Sequence, residues 1–130
     1  MTRKYSSRPD WHNKVFLVVE DEEHNYAYVH EILKKTQATV IRAENGIKAI
    51  EEVSVHTFDL IIMDIKLPEM DGFKATIEIK KMKPFLPIIA QTAYAMEKEK
   101  IACFNAGCDD YIAKPFEPEK LLDAIKRHLL

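Results

Sequence analysis

The residue types that could do charge chemistry sit at the ends of apolar runs. Glu20, Asp21, Glu22 and Glu23 follow the run Lys14–Val19, and Asp64 follows Phe58–Met63. Thr92 follows Pro87–Gln91, and Lys114, with Pro115 behind it, follows Asp110–Ala113. Carboxylates held about 4 Å apart repel by roughly 4 kcal/mol per pair at an effective dielectric near 20. A cation relieves that repulsion. Hard oxygen donors with room for water suit Mg²⁺, which takes one or two carboxylates together with phosphate oxygens. A hydroxyl and an ammonium beside such a cluster would suit a phosphoryl group. A plainer reading is reasonable for Glu22 and Glu23, whose charges can simply offset a helix N-terminus. It fits Asp64 badly, because Asp64 ends an apolar run and no helix follows at once. Thr92 alone says little, and Lys114 alone could be a structural counter-ion.

The elements that must position these residues follow from hydrophobic periodicity. Strands read at Lys14–Glu20, Ala38–Ala43, Phe58–Met63, Pro87–Gln91 and Asp110–Ala113, as short runs without helical spacing. Helices read at Glu22–Lys35, Asn45–Val55, Gly72–Lys83, Glu97–Ala106 and Pro118–Leu130. Their inward stripes include Tyr26, Val29, Ile32 and Leu33 in the first helix, and Ala75, Ile79 and Met82 in the third. Leu121, Leu122, Ile125 and Leu129 form the stripe of the last. Pro84 stops the third helix, and Gly107 offers the fourth a left-handed C-cap. Strict alternation of strand and helix predicts an α/β fold, a parallel sheet with helices on both faces in three layers. Strands that read as continuous apolar runs say the same. In such sheets ligands bind beyond the carboxyl ends of the strands, where strand order reverses. Glu20, Asp21, Asp64, Thr92 and Lys114 therefore converge at one edge.

Composition narrows the classes that remain. A chain of 130 residues is one domain, with enough length to bury a core without staples. The formal net charge of −2 gives no electrostatic case for nucleic acid or an anionic membrane. The longest apolar runs, such as Val15–Val19, are too short to span a bilayer, and residues 1–14 carry no apolar leader core. Cys103 and Cys108 make no disulfide framework and sit in no Cys-x-x-Cys, so they are expected to be reduced and inert. The histidines are scattered without metal-ligand company. No glycine-rich nucleotide loop is present. Residues 1–13, which hold Trp11, show no period and read as a flexible lead-in or linker ahead of a domain at 14–130.

Several motifs in order carry a family resemblance. Val18-Val19-Glu20-Asp21, Met63-Asp64-Ile65-Lys66-Leu67-Pro68-Glu69-Met70-Asp71-Gly72, Gln91-Thr92-Ala93 and Tyr111-Ile112-Ala113-Lys114-Pro115-Phe116 resemble the receiver domain of two-component response regulators. The resemblance covers Lys14 to Leu130. It implies a flavodoxin-like (βα)5 sandwich with strand order 2-1-3-4-5. It implies that Asp64 accepts a phosphoryl group from the phosphohistidine of a sensor histidine kinase or histidine phosphotransfer protein. Glu20, Asp21 and Asp64, with the carbonyl of Lys66, would hold Mg²⁺; Thr92 and Lys114 would meet the phosphoryl oxygens. Pro115 would follow a cis peptide bond, and Tyr111 falls on the family's aromatic switch position. The surface of helix four, strand five and helix five would then be read by a downstream effector. Lys66 and Tyr94 fall on positions that tune dephosphorylation, and neither suits the orienting of water, so slow hydrolysis is expected. The Glu-Asp acidic pair and the stretch from Thr92 to Tyr111 are similar to receivers of hybrid sensor kinases, and the location expected is cytoplasmic.

Two rival readings are weaker. An aspartate-nucleophile phosphatase wants a second acid two residues beyond the nucleophile, where this chain has Lys66. A degenerate receiver, kept only as a binding scaffold, would not need Glu20, Asp21, Asp64, Thr92 and Lys114 together. Tyr26, Tyr28, Phe104 and Phe116 are expected mostly in the core.

Overall fold

The computed structural model describes residues 8–67, 70–93 and 96–129. Strands β1 (Val15–Val19), β2 (Thr39–Ala43), β3 (Leu60–Asp64), β4 (Ile88–Thr92) and β5 (Asp110–Ala113) alternate with helices. These are α1 (Glu23–Lys34), α2 (Gly46–Val55), α3 (Gly72–Met82), α4 (Glu97–Ala106) and α5 (Pro118–His128). All pairings are parallel and the sheet order is β2-β1-β3-β4-β5. The α/β sandwich expected from the alternation of elements and the strand order that the resemblance implied are those observed.

Side-chain alternation along each strand feeds both faces of the sheet. Leu17, Val19, Ile61, Met63, Ile88 and Ala90 meet Ala49 and Val53 of α2, Ala75 and Ile79 of α3, and Cys103 of α4. Phe16, Val18, Leu60, Ile62, Ile89 and Ile112 meet Val29, Ile32 and Leu33 of α1 and Leu121, Ala124 and Ile125 of α5. Helix starts are set by side chains that accept the first orphan amides: Glu22 from Asn25, Asn45 from Lys48 and Asp71 from Lys74. At the other end of α4, Gly107 takes φ 113°, the left-handed cap that its sequence position suggested.

Some expectations shift. Asp64 and Thr92 are the last residues of β3 and β4 and not the first residues beyond them, paired with Gln91 and Ala113. A ladder runs through backbone groups and is indifferent to where the apolar run stops. Met82 is exposed, while Thr76 is fully buried, its Oγ1 3.9 Å from Cys108 Sγ. Met82 is the last residue of its helix, where the inward stripe runs out. Tyr28 and Phe104 are also exposed rather than core. Trp11, in the lead-in by sequence, is buried edge-on to Phe16 at 5.5 Å between centroids, and its backbone N–H donates to Thr36 O at 2.7 Å. Its indole completes the α1/α5 core, so ordered contacts begin before β1. Cys103 and Cys108 are free and buried. Among the described residues, no helix is long and apolar enough to cross a membrane.

Candidate functional site

The carboxyl ends of β1, β3 and β4 and the residue after β5 form one acidic edge. Glu20 follows β1 with no exposed surface, and Asp64 ends β3 at 4% exposure. Asp21, beside Glu20, faces solvent. Carboxylate oxygens of Glu20, Asp21 and Asp64 all lie within 4.8 Å of one another. Lys114 Nζ stands between two of them, 3.4 Å from Glu20 Oε1 and 3.4 Å from Asp64 Oδ2. Two buried carboxylates share the Lys114 ammonium, and the Asp21 carboxylate adds a third negative group beside them.

Backbone geometry presents these groups. Ile65 N–H donates to Gln91 O, which continues the β3–β4 ladder past Asp64. Lys66 N–H then turns back to Asp64 Oδ1 at 3.2 Å. Gly72 N–H donates to Ile65 O, and a Cβ at Gly72 would run into Asp64 O and come within 2.7 Å of Ile65 Cα. Only glycine lets α3 start this close to the end of β3. Lys114 N–H donates to Thr92 O at 2.8 Å, which sets the lysine beside the threonine, and the Lys114–Pro115 peptide is cis.

Glu20 shows the electrostatic cost. Burial, then the charge of Asp64 beside it, pushes its carboxyl from an ordinary 4.5 up to about 7, against the opposing pull of Lys114. Its Oε2 accepts from Glu22 N–H at 3.2 Å, and Gln91 Nε2 stands 3.4 Å from Oε1. This donor set fits a hard divalent cation. Its oxygens are clustered, partly open to water and short of positive charge.

The edge thus brings together Glu20, Asp21, Asp64, Thr92 and Lys114, with the Lys66 backbone beside them. Tyr111 lies apart, half-buried, with Phe104 edge-on at 6.2 Å and Lys100 Nζ 5.3 Å over its ring. Tyr94 lies outside the described residues. Gln91 was missed by sequence; its signal was a lone amide inside an otherwise apolar strand.

The comparisons agree with this geometry. Residues 16–126 match the response regulator receiver domain. The chemotaxis protein CheY of Bacillus subtilis is 38% identical over 114 residues, covering 87% of this chain and 95% of that protein. Sensor protein GacS of Pseudomonas syringae pv. syringae is 36% identical over 114 residues, covering 84% of this chain, which spans only 13% of that protein. The receiver domain of a sensor histidine kinase from Pseudomonas aeruginosa PAO1, with a magnesium ion coordinated in its active site cleft, superposes with TM-score 0.83. It is 34% identical over 88% of this chain and 96% of that one. Carrying the receiver match across most of its length and the receiver strand order in its sheet, this chain belongs to the response regulator receiver domain family.

Proposed function

We propose that this receiver takes a phosphoryl group onto Asp64 from the phosphohistidine of a sensor histidine kinase or histidine phosphotransfer protein. The observation that carries the reading is the buried Asp64 carboxylate, flanked by Glu20, Asp21 and Lys114 at one end of the sheet. An Asp64 oxygen attacks phosphorus in line with the leaving imidazole. The O–P bond forms as the N–P bond breaks, and the imidazole departs with the bonding pair. Glu20, Asp21 and Asp64, with the Lys66 carbonyl, would hold Mg²⁺. When bound, Mg²⁺ neutralises charge on the phosphoryl oxygens, the main demand of phosphoryl transfer. Lys114 supplies a second positive charge, and the Thr92 hydroxyl would donate to a phosphoryl oxygen.

The acyl phosphate carries roughly two negative charges at pH 7 where the Asp64 carboxylate carried one, beside Thr92 and Lys114. Both residues lead directly into α4 and β5–α5. Exposed Ile101 and Phe104 on α4, beside Tyr111, form an apolar surface for an effector to read. Such a module acts in the cytoplasm, alone or as part of a longer sensor kinase.

Incubation with acetyl phosphate and Mg²⁺, followed by intact-mass measurement, tests the assignment. Wild type should gain the mass of one phosphoryl group and Asp64→Asn should gain none. A gain in both, or in neither, overturns it.

A further inference from the structure

Arg42 is a residue that neither motif nor periodicity brought forward. It lies on the edge strand β2, opposite Val18. An arginine on an edge strand is ordinarily a solvated charge that blunts the edge against pairing. This one is not solvated: its side chain is only 17% exposed. Nε donates to Glu20 O at 3.1 Å, and Nη1 donates to Glu23 Oε2 at 3.0 Å. The guanidinium carbon stands 4.6 Å from the centroid of the Tyr26 ring. All these partners belong to the stretch that leaves β1 and enters α1, the stretch that carries Glu20 and Asp21.

Both backbone polar groups of Glu20 are therefore tied to β2. Its N–H donates to Ala43 O at 3.0 Å, and its carbonyl accepts from Arg42. Glu20, Asp21 and Asp64 repel one another, and a short connection between strand and helix could relieve that repulsion by swinging outward. A planar fork held by a carbonyl, a carboxylate and an aromatic face resists that movement better than a flexible ammonium could. The exposed pair with Glu23 adds little energy by itself. The carbonyl bond and the ring contact, both partly buried, supply the hold.

We infer that Arg42 is the positioning residue for the metal site: it keeps the Glu20–Glu23 stretch, and so the Glu20 and Asp21 carboxylates, gathered before a cation arrives. The inference rests on the Mg²⁺ reading above, and its sign separates it from electrostatics. Removing a positive charge near a cation site should tighten cation binding if Coulomb forces alone mattered. Loss of a brace should weaken it instead.

The experiment compares wild type, Arg42→Met and Arg42→Lys, all confirmed folded by thermal melting. Met keeps an apolar stem against Tyr26 but has no donor and no charge. Lys keeps the stem and the charge but loses the fork, and it carries the test alone if Met does not fold. Mg²⁺ titration by amide NMR shifts should show affinity falling about tenfold in Arg42→Met, the low end for outer partners of metal ligands. Arg42→Lys should fall between Met and wild type. Binding in Arg42→Met that equals or exceeds wild type overturns the inference, as does Arg42→Lys matching wild type. A metal-free readout keeps the two readings distinguishable. The Glu22 amide, held by Glu20 Oε2, should exchange hydrogen several-fold faster in both variants while β3 amides do not change. If wild type binds no Mg²⁺, the metal reading fails, and unchanged exchange at Glu22 still overturns the brace.

Discussion

Carboxylates stand at both ends of this sheet, and they are treated differently. At the amino ends of the strands, Asp59 Oδ2 accepts from Val15 N–H at 2.8 Å. Asp109 Oδ2 accepts from Ile88 N–H at 2.9 Å and from Lys80 Nζ at 2.8 Å. Each closes a strand start that would otherwise leave an amide unpaired. At the carboxyl ends, Glu20 and Asp64 make longer contacts to Glu22 N–H, Lys66 N–H, Gln91 and Lys114, from 3.2 to 3.4 Å, and both acids share the Lys114 ammonium. Asp21 has no side-chain donor among the described residues. The first set is satisfied by the protein, and the second is left short of positive charge. Carboxylates of the first kind hold a fold together, whereas the second kind hold a place for a ligand.

The sharpest break of that contrast is at Asp21. Among the described residues no side-chain donor competes for Asp21, which leaves it to ligate directly, while Glu20 is already engaged by Gln91, Glu22 and Lys114. Asp21→Ala is expected to weaken Mg²⁺ binding by about tenfold or more, ~1.4 kcal/mol, and Glu20→Ala by less. Calorimetric titration decides; equal losses, or a larger one at Glu20, would move the direct ligand to Glu20.

Two further changes act on stability with opposite signs, one at each edge. Asp109→Ala strips Ile88 N–H and Lys80 of a partner and should cost about 1–3 kcal/mol in urea unfolding, with Mg²⁺ affinity unchanged. Glu20→Gln should instead stabilise the metal-free protein at pH 8. The Glu20 carboxyl is raised to about 7 from 4.5, so the folded state holds its proton more tightly than the unfolded chain. That favours folding below about pH 4.5 and is lost as pH rises to about 7. The variant should gain on the order of 2 kcal/mol over wild type at pH 8 and nothing at pH 4. No gain at pH 8 would mean that the acidic edge is not strained in the metal-free state.

The acidic edge was legible in the sequence because its side chains follow apolar runs that can only be buried strands. Glu20, Asp64, Thr92 and Lys114 needed only the rule that parallel sheets gather ligands at strand carboxyl ends. The strand ends themselves were blurred, since hydrogen bonding carries β3 through Asp64 against its polarity. Arg42 and Gln91 stayed hidden because their partners come from other elements, 22 and 71 residues away in sequence. Trp11 hid among polar neighbours, where a lone aromatic makes no period. Asp59 and Asp109 look in sequence like ordinary turn residues. What distinguishes them is the strand amide each faces, which only the assembled sheet supplies.

The smallest effect belongs to Asp110, at the start of β5, and it sharpens the contrast by its pH sign. Burial alone would raise this carboxyl, but hydrogen bonds from Arg127, from Tyr111 N–H and from His128 hold it below its ordinary 3.8. Here the unfolded chain holds the proton more tightly. The stabilisation is present above about pH 4 and is lost as pH falls through the lowered folded value, the reverse of Glu20. Arg127 is largely exposed, at 59%, so screening leaves the pair only a modest role. Asp110→Asn should therefore leave urea midpoints near pH 7 little changed and make the decline between about pH 5 and pH 2 shallower than in wild type. Identical acid limbs in the two proteins would show that Asp110 is as unconstrained as a surface carboxylate. The amino ends of the sheet would then owe their order to the satisfied backbone bonds of Asp59 and Asp109 alone.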